Sequence, residues 1–293
     1  MQTTNIHDLP EEIVAFSKRN SYNPGKSDIT VSRLIDSPRK AALTKIHWSD
    51  LTQDVHDLIP SMMGTALHAM FEAGAEGMDH LISEERIFHK VNGWNISGQI
   101  DSQRLHPDGT VTVRDYKSTS AWAVMNEKIE WENQLNLYAW LVEKVKGKKV
   151  VAIDIVAFIR DWNRRDAANK PDYPKTMIVT LPMKLWSQEK REQYLLDRLH
   201  VHSEAEASVV LGGDIGKCSP AEQWRRDPTF AVYKAKKPDR AWRVFPTKED
   251  AEKFAAEQKD VTIEERPAQA IRCANFCQVA QFCTQWKEEN EVF

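Results

Sequence analysis

The chain has 293 residues, of which 41% are hydrophobic and 28% charged, with a formal net charge of −3. That balance supports a packed core and excludes global disorder, and no stretch approaches the ~20 apolar residues needed to span a bilayer. The N-terminus, MQTTNIHDLPEEIVAF, has no basic start leading into an apolar run and a small-residue cleavage site, so it does not read as a secretory signal and a cytoplasmic location is expected.

In chain order, residues 1–30 are polar, with Asn-Pro-Gly at 23–25 as a turn. A helix is expected from Val31, ahead of the Ser-Pro step at 37–38, and another over 61–78, with Met63, Leu67, Met70 and Phe71 as its apolar side. Three strands follow. Ile82–Lys90 runs into Asn92-Gly93, a hairpin signal, and Trp94–Leu105 runs into the turn Pro107-Asp108-Gly109. Thr110–Lys117 alternates so that Val111, Val113, Asp115 and Lys117 share a face. An amphipathic helix is expected over 130–146, a buried strand at Val150–Arg160, a further strand at Thr176–Leu181 and a long helix over 183–208. Gly212-Gly213 marks a boundary. Beyond it come strands Phe230–Lys234 and Ala241–Phe245, a helix Lys248–Gln258 opened by Thr247 and Asp250, and a strand Val261–Glu265.

Mild overall acidity neither advertises nor excludes a nucleic-acid partner, because local clusters matter more than the sum. Such clusters are Lys144, Lys146, Lys148 and Lys149; Arg160, Arg164 and Arg165; and Lys234, Lys236, Lys237 and Arg240. Each reads equally as a solvated face.

The chemistry concentrates in the hairpin region. Asp115 and Lys117 project together, a pairing suited to phosphodiester hydrolysis: a carboxylate to hold a divalent metal that activates water, and an ammonium to orient that water or steady developing charge. Alone such a pair is most often a surface ion pair. Asp101 ends the preceding strand, and adjacent strands lie ~4.8 Å apart, so it could share the metal. Gly98 beside it would allow close backbone approach or a bulge. Oxygen ligands of this kind suit Mg²⁺ or Mn²⁺. His68 lies on the earlier helix, one turn after Gly64 and one turn before Glu72.

The ordered set Gly64-x-x-x-His68, Gly98-Gln99-Ile100-Asp101, Asp115-Tyr116-Lys117 and Gln134-x-x-x-Tyr138 resembles the PD-(D/E)xK nuclease superfamily, in its RecB-like branch with the phage and CRISPR-associated exonucleases. The resemblance covers about residues 31–200, and SRLIDSPRKAAL is similar to the branch's N-terminal element. It implies an α/β fold, a central mixed β-sheet flanked by helices as in restriction endonucleases. It implies that His68, Asp101, Asp115 and the Tyr116 carbonyl bind metal, that Lys117 positions water, and that Gln134 and Tyr138 help hold the lysine or DNA. Glu72 matches an acidic position of the family less firmly.

Cys273, Cys277 and Cys283 crowd near the C-terminus while Cys218 stands apart, a grouping that in a reducing compartment favours a metal or cluster over disulfides. By resemblance these four would hold a [4Fe–4S] cluster, with Zn²⁺ as the rival and buried structural thiols as the plain alternative. The first spacing is one residue longer than the family's, and its upstream cysteine is Ser37 here. The expected organisation is therefore a nuclease core over 1–215, a small ββαβ insertion over 216–270 for DNA or partner contact, and a C-terminal cysteine segment over 271–293.

The function so implied is metal-dependent DNA cleavage, more exonucleolytic than endonucleolytic, in phage recombination or replication within a bacterial host. DNA is the partner, with a single-strand annealing or replication protein beside it and no membrane. A non-cleaving DNA-binding or assembly protein on the same fold is the main alternative, and a Zn-stabilised RNA-processing or adaptor protein a third.

Overall fold

The computed structural model describes residues 1–19, 25–126 and 128–290; Asn23 and Pro24 of the expected turn lie outside them. The chain divides into two compact units, one of residues Met1–Asp36 with Ser49–Leu211 and one of Ser37–Trp48 with Gly212–Phe293. Among the described residues no helix is long and apolar enough to cross a membrane.

The first unit is built on a six-stranded mixed sheet flanked by helices, the α/β architecture expected. Its centre is the strand Trp94–Leu105. One edge of that strand pairs antiparallel with Leu81–Val91 along almost its whole length, through a turn whose Asn92 and Gly93 have φ of 48° and 82°. Two residues with positive φ are what a tight primed hairpin turn requires. The sheet continues antiparallel to Val111–Thr119, parallel to Val150–Ile159 and antiparallel to Ile178–Met183.

The second edge of Trp94–Leu105 is shared. Ile29 and Thr30 pair parallel with Ile96 and Ser97, whereas Val111–Thr119 pairs only with the far end, from Ser102 opposite Arg114 to Leu105 opposite Val111. Between them, residues 98–101 carry no ladder partner on that side among the described residues. Val111–Thr119 stays paired with Val150–Ile159 throughout, so it diverges from its hairpin partner after Arg114. The sheet is forked, and the fork opens at Asp101.

The parallel step from Val111–Thr119 to Val150–Ile159 requires a crossover, supplied by the helix Ile129–Lys146. The expected amphipathic pattern is exceeded here: Leu135 to Val142 are all buried, because this helix lies in the main core with Ile100, Val113, Ile153, Leu195 and Leu199. Asn136, fully buried, is satisfied by donating to the carbonyls of Glu132 and Lys184 and accepting from the Trp186 N–H at 2.8 Å. The helix closes on Gly147 at φ 64°.

The helix expected over 61–78 spans Val55–Ala75, capped by Asp54, and its buried residues are Val55, Met62 and Leu67. Met63 and Met70 are instead about half exposed; the buried side is that of Val55 and Met62, seven residues and so two turns apart. Helices Glu11–Arg19 and Pro38–Ile46 were not expected from the sequence. The first is amphipathic but only nine residues long and buries none of them; the second lacks a clean apolar period and begins at a proline that marks a helix N1 position rather than a break.

In the second unit, Arg243–Phe245, Thr229–Lys234 and Val261–Arg266 form an antiparallel sheet in that spatial order. The helix Lys248–Ala256, capped by Thr247, sets Phe254 against Trp242 and Phe245.

The cysteine expectation needs correction: neither the [4Fe–4S] cluster nor the Zn²⁺ alternative is supported. Among the described residues no three of Cys218, Cys273, Cys277 and Cys283 gather their sulfurs as a metal-ligand set. The cavity they border holds about 20 Å³, room for roughly one water. Two thiols are engaged otherwise. Cys218 Sγ lies 3.0 Å from the Ser37 hydroxyl, and Arg39 Nε donates to Cys283 Sγ at 3.3 Å. Burial pushes the Cys273 thiol up to about 11 and raises Cys218 as well, which keeps both protonated. The spacing that suggested ligands in sequence places small hydrophobic groups in the structure.

Gly98 is closely packed against the helix Ile129–Lys146. A Cβ there would lie 2.8 Å from Leu141 Cδ1 and 2.8 Å from Tyr138 Cε1. The substitution Gly98→Ala is expected to destabilise the protein by about 1–3 kcal/mol through overpacking, read as a lower denaturation midpoint; an unchanged midpoint would show that the helix yields freely at this contact.

Candidate active site

Side chains from five elements meet at the fork. Asp101 sits at the last unpaired position of Trp94–Leu105 and is 5% exposed; Asp115, just past the end of the antiparallel ladder, is 1% exposed. The backbone N–H of Tyr116, freed from the hairpin partner by the divergence, donates to Asp101 Oδ2 at 2.7 Å. One carboxylate thus bridges the split in the sheet.

Lys117 turns back toward Asp115, with Nζ 2.6 Å from Oδ2. It also donates to Gln134 Oε1 at 3.0 Å. Gln134 in turn donates to Asp115 Oδ1 at 3.1 Å and to the Tyr138 hydroxyl at 2.8 Å. The four residues expected to cooperate on this side are therefore joined in one network. The Lys117 ammonium lies close to Asp115 Oδ2 but off the direction of a hydrogen bond, so this fully buried oxygen has no hydrogen-bond partner. A buried carboxylate oxygen left in that condition is costly and is poised to accept a cation.

On the other side, the helix Val55–Ala75 delivers His68. Its Nε2 lies 3.2 Å from the Tyr116 carbonyl and 3.6 Å from Asp101 Oδ2, and the neighbouring Phe71 stacks on the Tyr116 ring at 4.1 Å. Its Nδ1 faces Glu84 Oε1 at 3.0 Å. Glu84 was not singled out from the sequence. It interrupts the ladder between Ser83–Ser102 and Glu85–Ile100 and has φ of 51°, an uncommon conformation for a non-glycine residue and one that concentrates at functional sites. The signal available in sequence was the adjacent pair Glu84-Glu85 inside a strand, which places one carboxylate on each face. Glu85 is accounted for by Lys146 and Gln103, which leaves Glu84 to turn toward the site. There Gln99 donates to its Oε2 at 2.6 Å, and Arg86 donates to Gln99 at 2.6 Å and to Ser97 at 3.2 Å.

The ligand atoms of His68, Glu84 and Asp101 all lie within 4.8 Å of one another, a group able to hold a metal ion. His68 and Asp101 belong to the expected ligand set and Glu84 is new; Asp115 lies outside this grouping, its carboxylate turned to Lys117 and Gln134. Glu72 is exposed and does not border the cleft. Gly64 borders it but meets nothing within 4 Å, so no close contact requires a glycine there. The cleft holds about 650 Å³ and is open to solvent.

The electrostatics call for positive charge. Burial, reinforced by the neighbouring Asp115 charge, raises the Asp101 carboxyl well above the usual range. Burial opposes charging of His68, but its hydrogen bond to Glu84 and the charges of Asp101, Glu84 and Asp115 outweigh it and push the ring up to about 9. Both shifts mark a place where negative charge is crowded and a bound cation would relieve it. Hard oxygen donors with one imidazole suit Mg²⁺ or Mn²⁺, and the residues present fit such an ion.

The Glu84 carboxylate fixes which histidine nitrogen faces Asp101, the role an outer carboxylate plays for a metal-bound imidazole. Glu84→Gln keeps the shape and removes the charge. It is expected to weaken Mn²⁺ binding about 10- to 100-fold, measured by titration against free-ion signal in electron paramagnetic resonance. Equal affinity in the variant would remove Glu84 from the site.

Comparison with known proteins places this geometry in a family. No curated protein matches the chain significantly. Among solved structures, the chain is similar to SSO0001, with 16% identity, a TM-score of 0.46, and coverage of 65% of this chain and 85% of that one. It is also similar to an alkaline exonuclease from Laribacter hongkongensis, with 14% identity, a TM-score of 0.36, and coverage of 69% and 95%. Both likenesses are too remote to speak to activity. The family description of the PD-(D/E)XK nuclease superfamily matches residues 31–284, most of the chain, and the chain belongs to that superfamily.

Proposed function

We propose that the protein is a divalent-metal-dependent deoxyribonuclease of the RecB-like branch, acting as an exonuclease in phage recombination or replication in the cytoplasm of a bacterial host. The observation that carries the reading is the buried Asp115 carboxylate, ion-paired with Lys117 at 2.6 Å yet with one oxygen outside any hydrogen bond, facing a cleft that also presents His68, Glu84 and Asp101. A degenerate binding module would have no use for an ammonium and two carboxylates held together away from water. The branch and the exonuclease role rest on the ordered motifs from Gly64 to Tyr138.

Asp101, Asp115 and His68 Nε2, with the Tyr116 carbonyl, would hold the metal, which when bound supplies Lewis acidity and a water of lowered pKa. The protein's own residues do the rest. Glu84 holds the imidazole of His68 by Nδ1, and Tyr116 N–H holds Asp101 across the fork. Gln134 fixes Lys117 from one side and Asp115 from the other, so the ammonium is directed at the attacking water and the phosphate oxygen on which charge develops. Tyr138 fixes Gln134.

The test pairs wild type with Lys117→Ala on end-labelled linear duplex and single-stranded DNA and on closed circles, with Mn²⁺ or with chelator. Metal-dependent loss of linear DNA, slowed about 10²–10³-fold by the substitution, is expected, with circles persisting. Loss of circles would make the enzyme an endonuclease. Cleavage in chelator, or full activity in Lys117→Ala, would contradict the mechanism, and no cleavage of any substrate by folded, metal-loaded protein would favour a DNA-binding role.

A further inference from the structure

The three-stranded module of the second unit carries a charge pattern that its own stability does not need. Between residues 234 and 243 lie five cations, Lys234, Lys236, Lys237, Arg240 and Arg243, and a single acid, Asp239. Between 248 and 266, over the helix, the turn after it and the last strand, lie seven acids and four cations. A protein of net charge −3 has thus collected positive charge at one hairpin and negative charge on the elements next to it. All five hairpin cations are exposed. Among the described residues the module's ion pair is Lys248–Glu252, on its helix, and the hairpin cations take no part in one.

The loop that displays them is ordered by its backbone. Lys237 N–H donates to the Lys234 carbonyl at 2.8 Å, Trp242 N–H to Val232 at 2.7 Å and Ala235 N–H to Asp260 at 2.8 Å. Aromatic rings then brace the side chains. Lys234 Nζ sits 3.5 Å over the Trp242 ring, Trp242 is set edge-on against Phe254, and Arg243 lies 5.2 Å over Phe245. Stacking of this kind holds a cation extended without neutralising it. Like charges gathered on one loop repel one another, a repulsion that a bound polyanion relieves. A regular line of phosphates fits a row of cations on one hairpin, and the acidic face beside it would turn that polymer toward the loop.

We infer that the hairpin of Thr229–Lys234 and Arg243–Phe245 is a second nucleic-acid contact, gripping the sugar–phosphate backbone of DNA without reading its sequence. The inference rests on the nuclease reading for the identity of the polyanion. A contact of this kind makes affinity fall steeply with salt, by about 0.9 in the log–log slope for each phosphate neutralised on a duplex.

The experiment measures binding of a fluorescent DNA duplex by anisotropy across a salt series, using the full chain with Lys117→Ala to preserve the DNA. Lys236→Ala/Lys237→Ala/Arg240→Ala is added to it, and Lys248→Ala/Lys253→Ala on the helix serves as the control for charge alone. The hairpin variant should bind at least tenfold more weakly near 100 mM salt, with a slope shallower by about two to three, for several unrelated sequences; the helix variant should keep the parent slope. An unchanged slope in the hairpin variant, or equal losses in both, would overturn the contact while leaving metal-dependent cleavage by the wild type intact. A parent that binds no DNA and a wild type that cuts none would overturn the nuclease reading and this inference together.

Discussion

Two carboxylates share a buried place in a forked sheet, and the rest of the site follows from making that tolerable. Asp101 and Asp115 stand where Val111–Thr119 leaves its antiparallel neighbour to follow Val150–Ile159. Burying one unpaired carboxylate is expensive and two together more so. The fold answers with an N–H from Tyr116, an ammonium from Lys117 and an imidazole from His68. The compensation is incomplete, since one Asp115 oxygen remains without a hydrogen bond. On the function proposed, a divalent cation would supply the missing charge, and hydrolysis would then need only water and a phosphodiester.

The supports are as ordered as the ligands. Tyr138 holds Gln134, which holds both Lys117 and Asp115. On the opposite wall Arg86 holds Gln99, which holds Glu84, which holds His68. Both chains begin on elements of the main sheet or on the helix buried against it, so the reacting groups are fixed by the core rather than by loops. Gly98 connects the two demands: without a side chain it lets Tyr138 and Leu141 approach the strand, which brings the helix carrying Gln134 close enough to reach Lys117.

Much of this was legible in the sequence because local signals and global fold agreed. The Asn92-Gly93 turn, the alternation from Val111 to Lys117 and the i, i+4 pair Gln134 and Tyr138 each state their own geometry. Glu84 was not legible, because its position depends on a backbone with φ of 51° inside a strand, which no periodicity announces. The full burial of Leu135–Val142 was hidden as well, since Asn136 interrupts the run and its burial depends on partners on other elements, the Lys184 carbonyl and the Trp186 N–H. The cysteines misled for the opposite reason: spacing near the C-terminus suggested a ligand set, while their surroundings, a Ser37 hydroxyl, an Arg39 guanidinium and a cavity of about 20 Å³, are those of packed thiols.

The central claim is that the fork between Asp101 and Asp115 is a divalent-metal site. Anomalous diffraction from crystals of the full chain grown with Mn²⁺ tests it most directly. The account predicts a manganese peak in contact with the carboxylates of Asp101 and Asp115 and with His68 Nε2, with Glu84 on Nδ1 of the same ring. Manganese bound elsewhere on the protein with this fork empty would contradict it.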